Sequence, residues 1–198
     1  MKTSDILSAL KPVVNVLDQF SIPYYIGGSI ASSIYGFARA TMDIDLVADI
    51  KDEHIPVLKE HLQKTYYIDE DMIKEAIIKK SSFNLIHLET TVKIDIFIQK
   101  NEPFHKETIQ RKILDTLDED DLKAKFYFSS PEDIIINKLL WYDLGERISE
   151  RQWTDIIGVI KVQGDSLDKD YLKNWSSKLG LIELLNKAFT EAGISPKT

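Results

Sequence analysis

The sequence predicts an α+β protein in which a mixed α/β part is followed by a helical part. Short runs rich in β-branched and aromatic residues alternate with helical patterns up to about Ser129, and every later pattern is helical. We therefore predict one part over residues 1–129 and a helical C-terminal region over 130–198.

The first part alternates helices and strands. Apolar residues at helical spacing predict a helix over 6–17, in which Pro12 predicts a kink or a break. The elements predicted after it are a strand at 24–26, a helix at 30–35, a strand at 42–50, helices at 53–64 and 71–79, and strands at 83–88, 92–98 and 124–128. Residues 89–91 predict a hairpin turn.

The helical part begins with a strong start signal. Ser130 can cap a helix, Pro131 suits the first helical position, and Glu132 and Asp133 favour the positive end of the helix dipole. Helical patterns follow at 134–144, 150–162, 168–178 and 181–192, and Gly180 is a natural stop between the last two.

Composition excludes several kinds of site. The 198 residues include no cysteine, which excludes disulfides, thiolate catalysis and cysteine-type zinc sites. A net charge of −7 argues against broad, non-specific binding to nucleic acid. No signal peptide and no run of ~20 apolar residues is evident, so we expect a cytoplasmic protein without a membrane partner.

Three aspartates on two predicted strands indicate a metal site. Asp43 and Asp45 share one face of their strand because side chains alternate. Two such carboxylates repel each other unless a cation lies between them, and Mg²⁺ is bound by one or two carboxylates. Asp95 lies between Ile94 and Ile96, where an ionised carboxylate is costly unless it is paired or metal-bound. If the strands are neighbours, the three aspartates would surround two metal ions.

A glycine pair precedes these aspartates and indicates a phosphate site. Gly27 and Gly28 would let the backbone approach a ligand, and Ser29 would cap the helix that follows. Amide groups at that helix start suit phosphates. Arg39 would contact phosphate or pair with an aspartate of the next strand.

Each feature also has a structural interpretation. An Asp-x-Asp pair can be a solvated face, Gly-Gly-Ser a simple turn, Asp95 a helix cap, and Arg39 a surface salt-bridge residue. Their order along the chain favours function, because independent accidents rarely give a glycine turn, a helix, Arg-x-Thr, paired aspartates and a later third one.

This order resembles the polymerase-beta-like nucleotidyltransferase superfamily. It resembles more specifically the abortive-infection type E(ii) toxin family and its uncharacterised relatives, in which Gly-Gly and a helix precede Arg-x-Thr-x-Asp-x-Asp. The matching residues here are Gly27, Gly28, Arg39, Thr41, Asp43 and Asp45. Residues 83–87, 93–97 and 131–133 with Lys138 also look like this family, so the resemblance covers roughly residues 20–160.

The resemblance implies a nucleotidyltransferase fold and Mg²⁺-dependent transfer of a nucleoside monophosphate from a nucleoside triphosphate to an acceptor hydroxyl. The implied catalytic and metal residues, with two ions, are Asp43, Asp45 and Asp95. The implied nucleotide-binding residues are Gly27, Gly28, Ser29, Arg39, Thr41, Lys138 and Asp155. The family also implies a toxin–antitoxin or phage-defence role, with tRNA, other RNA or protein as acceptor and a cognate antitoxin as partner.

The helical part matches only part of the family's motif. By resemblance Lys138 would contact phosphate and Asp155 would orient the site, but Gln152 stands where an acid is common in the family. From the residues alone, a solvated lysine is the commoner case for Lys138, and Asp155 could equally pair with Arg151 one helical turn earlier.

Two other functions fit the same sequence. One is the modification of a small molecule by a nucleotidyltransferase of the antibiotic-modifying kind. The other is a non-catalytic module that binds nucleotide or a partner, against which the presence of all three aspartates argues. Metal binding would distinguish the enzymes from the module.

Overall fold

The computed structural model describes residues 3–41, 43–117 and 124–194, with side chains from residue 5. The helices are Thr3–Gln19 (α1), Gly28–Tyr35 (α2), Ile55–Leu62 (α3), Glu70–Lys79 (α4), Pro103–Gln110 (α5), Pro131–Leu144 (α6), Glu150–Gln163 (α7), Lys169–Lys178 (α8) and Ile182–Ala192 (α9). The strands are Tyr24–Ile26 (β1), Asp43–Ala48 (β2), Tyr66–Tyr67 (β3), Ser82–His87 (β4), Lys93–Ile98 (β5), Ile113–Thr116 (β6) and Lys125–Phe128 (β7). The α+β class and the helical C-terminal region are confirmed.

The described strands form one mixed sheet in the order β3-β4-β5-β2-β1-β7-β6. The pairs β2–β5 and β1–β7 are parallel, and the other neighbouring pairs are antiparallel. Strand β5 follows β4 through the predicted hairpin turn and lies beside β2, from which α3, β3, α4 and β4 separate it in the chain. The sheet thereby brings two separate acidic segments of the sequence onto neighbouring strands.

The sheet belongs to the first of two compact units, which contains Met1–Gly27 and Ala40–Phe128. Apolar side chains on alternate positions of β2 and β5 form part of its core, and Ile44, Leu46, Ile94 and Ile96 are all buried. The side chains between them point to the opposite face because strand side chains alternate. Burial of one face therefore fixes which residues of β2 and β5 the other face presents.

The second unit contains Gly28–Arg39 and Ser129–Thr198 and is helical. Helix α2 packs on α6 and α7, and α9 packs on α7 and α8. The predicted start of α6 is confirmed, since the Ser130 hydroxyl accepts a hydrogen bond from the Asp133 amide. Residues 28–39 belong to the predicted first part, but in the structure they pack with the C-terminal helices.

Several local predictions differ from the structure. Helix α1 runs through Pro12 as one element rather than two, and the predicted strand at 42–50 is shorter, with Met42 outside the described residues. Strands β3 and β6 and helix α5 were not predicted, because they are short and lack a clear apolar period. In the part of the chain that the structure describes, no helix has the length and apolar character needed to cross a membrane.

The close approach of α2 and α7 depends on a glycine, which gives a first prediction. A Cβ atom on Gly36 would lie 2.8 Å from both the Ser32 carbonyl oxygen and the Val159 amide nitrogen. We expect Gly36→Ala to lower the free energy of unfolding by about 2 kcal/mol, because backbone atoms must move apart. Urea denaturation measures this loss. The control is Gly27→Ala, whose Cβ would meet nothing nearer than 3.8 Å; an equal loss in both variants would contradict the steric explanation.

Candidate active site

The three aspartates of the first unit lie on one face of neighbouring parallel strands. Asp45 of β2 is the register partner of Asp95 of β5, and Asp43 is the partner of Lys93. Parallel strands lie about 4.8 Å apart, so paired residues project side by side from the same face. Asp43 is exposed, and Asp45 and Asp95 are partly buried. The condition set by the sequence, that the two strands be neighbours, is met.

Lys93 lies on the same face as the carboxylates. Its ammonium nitrogen is 2.8 Å from Asp95 Oδ2. The hydrogen bond from Lys93 to Asp95 raises the pKa of the lysine above its ordinary value, although partial burial opposes this, and the charges of Asp95, Asp43 and Asp45 raise it further. The lysine is therefore held in the field of all three aspartates.

The three carboxylates suit a magnesium ion whose coordination shell is completed by other ligands. In the part of the chain that the structure describes, no three aspartate, glutamate or histidine side chains are placed to hold one ion. Magnesium usually takes only one or two protein carboxylates and fills its shell with water and phosphate oxygens. Asp45 and Asp95 on paired positions supply such a set, with Asp43 beside them. Metal binding by the three aspartates stays a prediction.

The glycine pair has two different roles in the backbone. The amide of Gly27 donates a hydrogen bond of 2.9 Å to the Asp45 carbonyl oxygen, which extends the pairing of β1 and β2. Gly28 begins α2 with a φ of 56°, a left-handed conformation that favours glycine. The prediction that Ser29 caps this helix is wrong, because the helix begins one residue earlier and Ser29 lies inside its first turn.

Thr41 supports the entry to β2. Its hydroxyl donates to the Asp43 carbonyl oxygen at 3.3 Å, so the contact is with the backbone of the first aspartate. The described contact therefore orients the start of the strand, and nucleotide binding by Thr41 stays a prediction.

In the second unit, Asp155 of α7 is held by two basic side chains. Arg39 donates through Nε to Oδ1 and through Nη2 to Oδ2, both at 2.8 Å. Lys138 of α6 donates to Oδ2 at 2.8 Å, and the Ser32 hydroxyl of α2 donates at 3.4 Å. We call Arg39, Lys138 and Asp155 the aspartate clamp. Its two cations exceed its single carboxylate, so the clamp carries a net positive charge.

The clamp controls the protonation of its members. Burial alone would raise the pKa of Asp155, but hydrogen bonds from Arg39 and Lys138, together with their charges, hold that pKa below its ordinary value. The hydrogen bond with Asp155 likewise raises the pKa of Arg39. Asp155 therefore remains ionised in the folded protein under ordinary conditions.

The surroundings of the clamp correct two interpretations. Lys138 is buried rather than solvated, and it also donates to Gln152 Oε1 at 3.0 Å. The structure pairs Asp155 with Arg39 and Lys138, not with Arg151 as the helical spacing suggested. Gln152 thus provides a neutral acceptor where the resembled family commonly has an acid.

Ser29 connects the clamp with the first turn of α7. The Ser29 hydroxyl accepts a hydrogen bond of 2.6 Å from Arg39 Nη2 and a longer one of 3.5 Å from Arg151 Nη2. Two arginine side chains therefore lie at the first turn of α2, where backbone amides also favour anions. Most of the residues of the second unit that were predicted to bind phosphate therefore lie close together.

Lys93 and Gln152 contact these groups and were not predicted as site residues. Lys93 lies two positions before Asp95, and strand alternation alone would have placed both on one face. Gln152 was read only as a departure from a motif. Its position three residues before Asp155 places both on the same side of α7, which is the signal that would have indicated a shared partner.

The chain has the nucleotidyltransferase fold. The antibiotic-resistance factor ANT(2'')-Ia aligns with 94% of this chain and 99% of its own, with a TM-score of 0.54 and 12% identity. An antigenic nucleotidyltransferase-like protein from Paracoccidioides brasiliensis aligns with 95% of this chain and 94% of its own, with a TM-score of 0.56 and 18% identity. No protein-family model and no curated protein matches the sequence.

The clamp gives a second prediction, on stability. Asp155→Asn removes the charge that Arg39 and Lys138 share, so we expect it to lower the free energy of unfolding by about 3 kcal/mol at neutral pH. Adding Lys138→Met should recover part of this loss, because one of the two uncompensated cations disappears. Urea denaturation of the single and double variants measures the coupling, and strictly additive losses would contradict the clamp.

A third prediction follows from the lowered pKa of Asp155. Because the folded-state pKa lies below the ordinary value, the ionised carboxylate stabilises the protein at neutral pH, and this stability is lost as the pH falls through the folded-state pKa. The difference in unfolding free energy between wild type and Asp155→Asn should therefore shrink below about pH 4. Urea denaturation across this range measures it, and a constant difference would contradict the assigned ionisation.

Proposed function

We propose that this protein is a nucleotidyltransferase that transfers a nucleoside monophosphate from a nucleoside triphosphate to an acceptor hydroxyl and releases pyrophosphate. The observation that carries the proposal is the register pairing of Asp45 with Asp95, with Asp43 on the same face. The fold that the chain shares with a nucleotidyltransferase-like protein supports it. The ordered motif from Gly27 to Asp45 supports it as well.

In the first unit, the carboxylates would provide the metal ligands. Asp43 and Asp45 would bind both Mg²⁺ ions, and Asp95 would complete the ligand set nearer to the acceptor. Bound Mg²⁺ would neutralise charge on the triphosphate and lower the pKa of the acceptor hydroxyl. Gly27 keeps this set in place, because its hydrogen bond to Asp45 ties β2 to β1.

In the second unit, the basic side chains would bind phosphate. Gly28 and Ser29 lie in the first turn of α2, and Arg39 and Lys138 contribute the excess positive charge of the clamp. Asp155 would act as a positioning residue, because its carboxylate fixes both cations rather than contacting the nucleotide. Catalysis would then rest on positioning and charge stabilisation without a covalent intermediate.

The acceptor is the part of the proposal that rests on resemblance. Similarity of the motif to the abortive-infection type E(ii) toxins supports RNA, including tRNA, or protein as acceptor, with a cognate antitoxin as partner. The net charge of −7 weighs against a long polyanion unless the binding surface is locally basic. The cations at α2 and α7 provide one such local excess.

A small-molecule acceptor is the second candidate. The observation in its favour is that the antibiotic-resistance factor ANT(2'')-Ia aligns over 99% of its length, so the alignment leaves out almost nothing of that protein. A protein of this size with a small-molecule acceptor would need no extended basic surface. Release of pyrophosphate in the presence of RNA, protein or hydroxyl-bearing antibiotics would separate the candidates.

A fourth prediction tests the nucleotide site. We expect wild type to bind a nucleoside triphosphate in calorimetric titrations only when Mg²⁺ is present, because the carboxylates and phosphates share the ion. Asp43→Ala/Asp45→Ala should lose this binding, with a decrease in affinity of at least about a hundredfold. Titration of each of the four common triphosphates also identifies the nucleotide.

The control is a double variant of two highly exposed aspartates, Asp71→Ala/Asp165→Ala, whose side chains are 94% and 95% exposed. It removes the same number of charges from the same protein, and we expect it to bind like wild type. Equal loss in both double variants would reveal a general charge effect. Absence of triphosphate binding by folded wild type would contradict the proposed function.

A further inference from the structure

Lys93 lies beside the three aspartates of β2 and β5, at a position where the fold itself requires no lysine. It is the register partner of Asp43, and its ammonium lies 2.8 Å from Asp95 Oδ2. Its side chain is 43% exposed, and that of Asp95 is 21% exposed. The ion pair is thus open to water on one side. It lies on the face of β2 and β5 that presents Asp43, Asp45 and Asp95, which we call the acidic face.

A cation at this place has a clear electrostatic purpose. Three aspartates on one face of two neighbouring strands repel one another, and the strand pairing prevents them from moving apart. A tethered ammonium compensates part of this charge without any ligand. The same ammonium repels an incoming cation and uses an oxygen of Asp95 that a metal ion would need.

We propose that Lys93 is an internal counter-ion of the acidic face, which holds Asp95 in the absence of metal and leaves it when a divalent cation binds. This inference rests on the metal site of the proposed function and adds a competitor to it. The lysine is a positioning residue: it acts through Asp95 and sets the threshold of cation concentration at which the site becomes loaded.

The exchange needs no unfolding. The lysine is tethered by a flexible four-carbon chain, and the part of the ion pair that faces water allows its ammonium to swing away while β5 stays paired. The attraction between Lys93 and Asp95 is small because the pair is exposed. The repulsion between the Lys93 ammonium and a divalent ion at a similar distance is larger. Competition should therefore be visible in metal affinity more than in stability.

The experiment titrates Mn²⁺, as a paramagnetic substitute for Mg²⁺, into nucleotide-free protein and follows binding by electron paramagnetic resonance. We expect Lys93→Met to bind Mn²⁺ about tenfold more tightly than wild type at low salt. The gain should shrink as ionic strength rises, because salt screens the repulsion. Lys93→Arg keeps the charge and should bind like wild type.

The matched control is Lys79→Met, which removes the lysine of an exposed ion pair with Glu75 on α4 and should leave Mn²⁺ affinity unchanged. Equal Mn²⁺ affinity in wild type and Lys93→Met overturns the inference. If both bind measurably and equally, the metal site of the proposed function stands. If neither binds, that site is contradicted too.

A metal-free measurement tests the counter-ion directly. In the presence of a chelator at low salt, Lys93→Met should lower the thermal midpoint by about 2 °C, because the aspartates lose their compensating charge. Lys93→Met/Asp95→Asn should recover wild-type stability, since one of the repelling carboxylates is gone. A Lys93→Met protein that melts like wild type under these conditions overturns the inference.

Discussion

The parallel pairing of β2 with β5 is the constraint on which the chemistry of the first unit depends. Burial of Ile44, Leu46, Ile94 and Ile96 fixes one face of both strands in the core, and the register then leaves no choice about what lies on the other face. Asp45 must stand beside Asp95. A slip of one residue would bury the carboxylates and expose the isoleucines, so the same hydrophobic packing that stabilises the fold also maintains a repulsive charge arrangement.

In the second unit, the charges are arranged in the opposite way. Arg39, Lys138 and Asp155 come from distant parts of the sequence and meet on three helices or their flanks, with two cations around one carboxylate. Because Asp155 and Lys138 are buried, the pair is sensitive to the loss of either partner. The carboxylate orients both of its cations, and binding of an anion by them stays a prediction.

The sequence predicted the features that depend on local period and missed those that depend on distant partners. The alternation of polar and apolar residues along 43–48 and 93–98 predicted that the three aspartates lie on strands. The cap residues predicted where α6 begins. Strand β3, with two residues, is too short for any period, and β6 becomes a strand only through its pairing with β7. Arg39 lies 116 residues from Asp155, and no local pattern could select that partner among the acidic residues of the chain. The same limit explains why Lys138 was expected in solvent.

Each unit contains a group of charged side chains that is held together by an internal ion pair. In the acidic face, Lys93 is bonded to Asp95, and in the clamp, Asp155 lies between two cations. In each group, an internal ion pair compensates part of the charge. Partial compensation limits the repulsion that the folded protein must tolerate without ligand.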